Sequence, residues 1–256
     1  MLKNNVNYVF LTVRTTSTRL PRKCFLPFGD FNVLGHVISR AKYFDLIPIV
    51  CTSDHPADDE VEFQSKEMGV DYFRGPLNNK LIRWYQCAST FKIDTFHTVD
   101  VDDPFFDPIQ VFESLNLLRK NDLDFVSPTK ISSSGSASVG YSISTRYLNS
   151  ISNIFESIEE LEMIDTVLTK DSSLKSKVLV SDTLEIANVR LTLDYFEDYY
   201  LLLFVLRNCG PYASRNLINE LFKNNPDLFK LNWFRNKEWE LNQNLIRLET
   251  KNNRIN

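Results

Sequence analysis

The first apolar run, Asn7 to Val13 (N-Y-V-F-L-T-V), is short, β-branched and aromatic, and polar residues follow it. That pattern predicts a buried strand. The period then changes. Val33, Leu34, Val37, Ile38 and Ala41 share one face of a helix that Asn32 can cap and that extends to Phe44. Strand-like runs recur at Ile47 to Thr52, Val70 to Phe73, Thr95 to Val101 and Phe125 to Ser127. Helical patterns separate them. One opens at Asp58 or Asp59 and closes at Gly69, one covers Asn79 to Thr90, and one covers Pro108 to Asn121. Strands alternating with helices at this spacing predict right-handed crossovers and a mainly parallel sheet covered on both faces, a three-layer α/β/α architecture.

The second half is less regular. Ser132 to Ser136 reads as a flexible connection and Ser138 to Ser144 as an added strand. Ile154 to Val180 mixes charge with short apolar clusters and shows no period. Val189 to Leu193 predicts a late strand, and helices follow from Phe196, including Ser214 to Lys223. There is no internal repeat and no long linker, so one decorated domain is expected over residues 1–256.

Charge narrows the function classes. Lys and Arg number 29 against 33 Asp and Glu, a net charge of −4. Such a chain has no general attraction for nucleic acid or anionic lipid, so an anion site must be local. No apolar run approaches the roughly 18 residues that span a bilayer. The first residues lack the long apolar region and cleavage site of an export signal, and the four cysteines are scattered. Reduced thiols and a cytoplasmic address are expected.

In open α/β sheets, ligands bind at the carboxyl ends of the strands. Chemistry is therefore expected just after Val13, Val101 and Leu193. After Val13 comes R-T-T-S-T-R-L-P-R-K, Arg14 to Lys23, with four cations and four hydroxyls in ten residues. Arg supplies a planar fork for phosphate oxygens and Lys a point charge. By itself the run is a phosphate site or a solvated surface loop. It is neither a Walker loop nor a dinucleotide fingerprint, because both glycine patterns are missing. After strand four, Asp100-Val101-Asp102-Asp103-Pro104 places carboxylates at a strand end, and alternation puts Asp100 and Asp102 on one sheet face. Asp107 before Pro108 reads as a helix cap. Asp194 ends the late apolar run; alone it reads more readily as a cap than as a metal ligand. Arg74 and Arg83 read either as phosphate or substrate contacts or as surface ion pairs. His36, His55 and His97 carry no ligand spacing, and His36 reads as a packed or capping residue.

Together these segments resemble the cytidylyltransferases that make CMP-activated sugars, in particular the spore-coat polysaccharide biosynthesis branch, which is similar to the 3-deoxy-manno-octulosonate cytidylyltransferases. The family's Q-A-R-x-x-S-T-R-L-P-G-K is matched at Arg14, Ser17, Thr18, Arg19, Leu20, Pro21 and Lys23. It is departed from at Thr12, Val13, Thr16 and Arg22. F-R-G at Phe73 to Gly75 with L-I-R-W-Y-Q-C-A at Leu81 to Ala88, V-R-L-T-L-D at Val189 to Asp194 with Glu197 and Asp198, and N-N-P-D-L-F-K-L-N near the end resemble further family segments in the family's order. The family's G-D-x-P lands on Asp102, with Val101 in place of Gly. R-E-H-V-T, common in relatives, has no counterpart between Gly140 and Asn188. Glu156, Glu159, Glu160, Glu162 and Asp165 lie there instead.

The resemblance implies a Rossmann-like sheet of the nucleotidyltransferase (GT-A-like) type. It implies a nucleotide-binding half over 1–130, an acceptor and dimer half with the last core strand over 131–195, and C-terminal helices over 196–256. It implies CTP bound by Arg14, Thr15, Thr16, Ser17, Thr18, Arg19, Lys23 and Arg83, with Mg²⁺ held by Asp102 and Asp194. Arg19, Lys23 and Asp102 carry the catalysis. The expected reaction activates a sugar or sugar-like acid as its CMP derivative for surface polysaccharide, releasing pyrophosphate, in a homodimer that binds no nucleic acid and enters no membrane. The alternatives are a pyrophosphorylase acting on a sugar 1-phosphate, against which the compact R-L-P-R-K spacing speaks, and a non-catalytic nucleotide-binding relative.

Overall fold

In the computed structural model, alternate residues of the first strand, β1 (Tyr8–Thr12), enter two separate cores. Val9 and Leu11 face one side and Phe10 the other, as the two-residue period of a strand requires. Residues 6–128, 140–158, 161, 164, 167, 173–180 and 188–252 are described; the serine-rich connection at Ser132 to Ser136 and the acidic residues Glu159, Glu160, Glu162 and Asp165 lie outside them.

A small hairpin follows β1, with β2 (Pro27–Phe28) paired to β3 (Phe31–Asn32). Next come α1 (Val33–Tyr43), β4 (Ile47–Ser53), α2 (Asp59–Glu67), β5 (Asp71–Gly75), α3 (Lys80–Phe91), β6 (Thr95–Asp100), α4 (Pro108–Lys120) and β7 (Phe125–Ser127). The helix starts are capped by the polar residues that the sequence places there. Asn32, Asn79 and Asp107 accept from the amides of Gly35, Ile82 and Ile109 at 2.9–3.0 Å. The order continues with β8 (Ser142–Ser144), α5 (Thr145–Ser150), α6 (Ser152–Glu156), β9 (Ser176–Val178), α7 (Phe196–Cys209), α8 (Arg215–Asn224) and α9 (Arg235–Asn252).

The main sheet has seven strands in the order β5-β4-β1-β6-β8-β7-β9. Its first four strands are parallel, and β8 runs antiparallel between β6 and β7. Gly140 fits where β8 approaches β6: its φ is +83°, and a Cβ there would lie 1.7 Å from the Thr98 carbonyl oxygen. One face of the sheet packs on α1, α4 and α7 through Leu34, Val37, Val111, Leu115, Leu202 and Val205. The other packs on α3, α5 and α6 through Leu81, Trp84, Leu148 and Phe155. This is the expected three-layer, mostly parallel α/β fold.

Two details differ from the expectation. Val189 to Leu193 forms no strand; it is an irregular, mostly buried segment whose Leu193 amide donates to the Asp102 carbonyl at 2.7 Å. Its apolar side chains fill the α1/α4/α7 core, which is why the pattern reads as a strand. Conversely, β9 lies inside the stretch that showed no period, and all three of its residues are exposed.

Candidate active site

The ends of β1 and β6 lie side by side, because Thr12 pairs with Asp100. The basic loop leaves β1 at this point. Leu20 and Cys24 anchor it by sinking into the core, and burial pushes the Cys24 thiol up to about 12. Arg22, one of the departures from the family loop, adopts φ +55°, a left-handed conformation that glycine takes without steric cost. Between Leu20 and Cys24 the side chain of Lys23 is directed inward.

Lys23 Nζ donates to Asp102 Oδ2 at 2.6 Å, to the Leu193 carbonyl at 2.7 Å and to Asp194 Oδ1 at 3.0 Å. Those are three acceptors for the three protons of an ammonium. Arg19 Nη2 reaches the same Asp194 Oδ1 at 2.5 Å. Arg190 Nη2 reaches Asp194 Oδ2 at 3.1 Å. Residues far apart in sequence, from the first loop, the end of β6 and the segment before α7, thus converge on one cluster. Two carboxylates share one ammonium, and they part company. Burial works against the Asp194 charge, but Lys23, Arg19 and Arg190 together hold it well below the usual carboxylate range. Asp102 has Lys23 as its ion-pair partner and is pushed up, by desolvation first, with the neighbouring Asp194 charge adding to it. The same two carboxylates outweigh the burial of Lys23 and keep it protonated.

Behind Asp194 lies a second network. Arg190, fully buried, gives Nε to Asp198 Oδ1 at 2.9 Å. Asp198 Oδ2 accepts from the amides of Asp194 and Tyr195 at 2.9 and 3.0 Å. Asn232 donates to both Asp198 Oδ1 and the Arg190 carbonyl, each at 2.9 Å. In the sequence Arg190, Asp198 and Asn232 stand out only as parts of segments that resemble the family. The signal for their role was the four-residue spacing Arg190, Asp194, Asp198, with an arginine inside an apolar run.

The other candidates separate by what they touch. Thr15 is buried, and both its amide and its hydroxyl donate to Asp58 Oδ1, at 2.8 and 2.7 Å. Burial works against the Asp58 charge, but the hydrogen bonds from Ser53 and Thr15 outweigh it and hold the carboxyl below its ordinary value. Thr16 and Thr18 are exposed and Ser17 half-buried, at the outward part of the loop. Arg14 Nη1 donates to the Leu77 carbonyl at 3.2 Å. Arg83, buried within α3, donates to the Pro76 and Leu77 carbonyls at 2.8 and 3.3 Å, so both arginines brace one turn. Arg74 pairs with Asp59 and Glu62, the ion-pairing alternative. Asp100 is not grouped with Asp102: it pairs with Lys80 at 2.9 Å, because β6 ends at Asp100 and the chain turns before Asp102.

Asp102 Oδ2, Asp194 Oδ1 and the Leu193 carbonyl oxygen surround one point, now taken by Lys23 Nζ. Three oxygens, two of them anionic, are the donors that a hard divalent cation uses. Among the described residues no group of three or more His, Cys, Asp or Glu side chains assembles around a metal site. A cation here would rest on two carboxylates and complete its shell from ligand and water, which is the habit of Mg²⁺.

The sheet order, the basic loop at the end of β1 and the facing carboxylates define an α/β protein of the nucleotidyltransferase type. A family model described as Cytidylyltransferase matches residues 9–227, and the chain belongs to that family. Among solved structures it is similar to a cytidylyltransferase from Leptospira borgpetersenii, with a TM-score of 0.76 and 24% identity over 88% of this chain and 96% of that one. It is also similar to a CMP:2-keto-3-deoxy-manno-octonic acid synthetase solved with CTP, at TM-score 0.60 and 14% identity over 79% and 98% of the two chains. A protein from Mycobacterium tuberculosis solved with manganese superposes at TM-score 0.53 and 16% identity over 78% and 98%. An uncharacterized protein from Methanocaldococcus jannaschii is 28% identical over 123 residues, 47% of this chain; the match spans about half, 51%, of that relative. Among the described residues no helix is long and apolar enough to cross a membrane.

Proposed function

We propose that this chain is a CTP-dependent cytidylyltransferase that activates a sugar or sugar-like acid for surface polysaccharide. The observation that carries the proposal is the meeting of Arg19 and Lys23 with Asp102 and Asp194. Phosphate-gripping cations and metal-holding carboxylates adjoin one another at the carboxyl end of a parallel sheet. The family match and the neighbour solved with CTP support the choice of nucleotide.

In this reading Arg14, Arg19 and Lys23 neutralise the triphosphate, and the exposed Thr16 and Thr18 with the half-buried Ser17 offer hydroxyls and amides to its oxygens. Thr15 fixes the loop on Asp58, and Arg83 fixes the turn that receives Arg14. The acceptor hydroxyl oxygen forms a bond to the α-phosphorus, the bond to the bridging oxygen breaks, pyrophosphate leaves, and the hydroxyl proton goes to solvent. Asp102 and Asp194 would hold Mg²⁺, which when bound supplies charge neutralisation on the reacting phosphate. The protein's own contribution is alignment and fixed charge, with no covalent enzyme intermediate. The half from 131 to 195 is assigned to the acceptor and to a homodimer contact, in a cytoplasmic enzyme.

The test is pyrophosphate release from each of the four ribonucleoside triphosphates with a panel of acidic sugars. Release is expected with CTP and one acceptor only. Release from a sugar 1-phosphate with another nucleotide would make the protein a pyrophosphorylase. No release, with nucleotide still bound, would make it a non-catalytic nucleotide-binding relative.

A further inference from the structure

The cations and carboxylates of the site are satisfied by each other. Lys23 spends all three protons on Asp102, Leu193 and Asp194, and Arg19 turns onto Asp194. An ammonium so placed has no proton left for a phosphate oxygen, and its carboxylate partners are already engaged. We infer that the Lys23 ammonium is a built-in stand-in for the divalent cation, which metal can replace only when a triphosphate draws Lys23 away.

The inference rests on the reading of this site as a metal and triphosphate site. Consider each ligand by itself. A divalent cation set on Asp102 and Asp194 strips Lys23 of its partners and leaves a buried charge beside a second positive charge. Breaking a buried pair in this one-sided way is strongly unfavourable. A triphosphate that draws Lys23 outward leaves two carboxylates facing each other. When both arrive, each displaced group finds a new partner. Metal and triphosphate are thereby coupled, and the coupling is reciprocal. The two carboxylates divide the task. Asp194 is held from behind by Arg190 and is 4% exposed; Asp102 is 37% exposed and has Lys23 as its ion-pair partner. Asp102 is therefore the open side by which a cation enters.

The experiment titrates the full chain with Mn²⁺ and no nucleotide, reading free Mn²⁺ by electron paramagnetic resonance. Lys23→Met should bind Mn²⁺ at least tenfold more tightly than the native protein, because Asp102 then faces the site without a cation. Equal affinity of the two proteins would overturn the inference. Should Lys23→Met fail to fold by circular dichroism, Lys23→Gln is read in its place; it keeps hydrogen-bonding capacity and loses the charge. Adding Asp102→Asn to the Lys23 variant should abolish the gain, and a gain that persists would overturn the inference by placing the metal elsewhere. Native turnover with CTP is measured separately. Turnover without the gain defeats the stand-in alone, and the gain without turnover defeats the proposed reaction alone.

Discussion

The two ends of the basic loop are each fastened by a buried carboxylate, through different kinds of donor. At the β1 end, Asp58 accepts from the amide and hydroxyl of Thr15 and from the amide and hydroxyl of Ser53. All four donors are neutral. At the far end, Asp194 is held by Lys23, Arg19 and Arg190, all of them cations. Neutral donors have no reason to leave when a polyanion arrives, whereas an arginine or a lysine does. Under the proposed function the Asp58 end is thus a fixed anchor, and the Asp194 end an exchangeable one. The difference separates structure from function along ten residues.

The comparison breaks most visibly by removing one carboxylate at a time. Asp194→Asn should lower turnover by roughly 100-fold or more, since the cation that would neutralise the reacting phosphate loses one of its two carboxylates and such fixed charge is worth on the order of 10²–10³ in rate. Asp58→Ala should instead lower stability by about 3 kcal/mol, because four buried donors lose their acceptor. For a chain of this size that is a fall of roughly 6–12 °C in melting temperature. Steady-state pyrophosphate release and thermal melts of both variants check this. A large turnover loss in a fully stable Asp58→Ala would erase the distinction between the ends.

Acid pH sharpens the comparison, because neither end should let go early. Asp58 and Asp194 both lie below the usual carboxylate value, so their contribution is complete above about pH 4 and is lost only below it. A slope at milder pH comes from elsewhere. His36, packed between Phe28 and Phe105, is lowered to about 4 by burial, and the Arg40 charge adds to this against the bond to the Pro104 carbonyl. Above pH 6.5 it is neutral in both states. Between 6.5 and about 4 the unfolded chain takes up a proton that the native chain refuses, so stability falls as pH falls, by about 3 kcal/mol in all. The difference between native protein and His36→Leu in urea unfolding at pH 7 and pH 4.5 measures it. A pH-independent difference would remove His36 as the cause.

The smallest effect lies beside the Lys23 anchor, at Arg22. Arg22→Gly relieves the left-handed backbone and gives up the exposed pair with Glu60, which is worth little. A gain of about 0.5–1 kcal/mol is expected, with turnover unchanged. A melting temperature that falls instead would show that the loop needs the Arg22 side chain.

Local chemistry made much of this legible in the sequence. The caps at Asn32, Asn79 and Asp107 stand beside the apolar faces that they start, and their partners are two or three residues away. The loop and the carboxylates were legible because strand ends gather ligand chemistry and because the family likeness named them. Other features were hidden by distance. Nothing near Thr15 announces Asp58, 43 residues on, and a hydroxyl in a basic loop reads equally as a phosphate contact. Val189 to Leu193 reads as a strand because pattern reports burial but not whether a sheet edge is free to receive the segment. Asp100 and Asp102 were placed on one face because alternation cannot show where a strand stops.

The Asn232 side chain carries a consequence for how the protein is made. Synthesis delivers the basic loop first, and Asn232 emerges 42 residues after Arg190. Until it does, the Arg190 carbonyl and the Asp198 carboxylate lack the amide that ties them together. A growing chain therefore presents Arg19 and Lys23 to the cell's polyanions before it owns the finished acidic pocket that later conceals them. Asp102 and Asp194 cover the two cations once they are made, and Asn232 then secures the network behind Asp194 from more than two hundred residues beyond the loop.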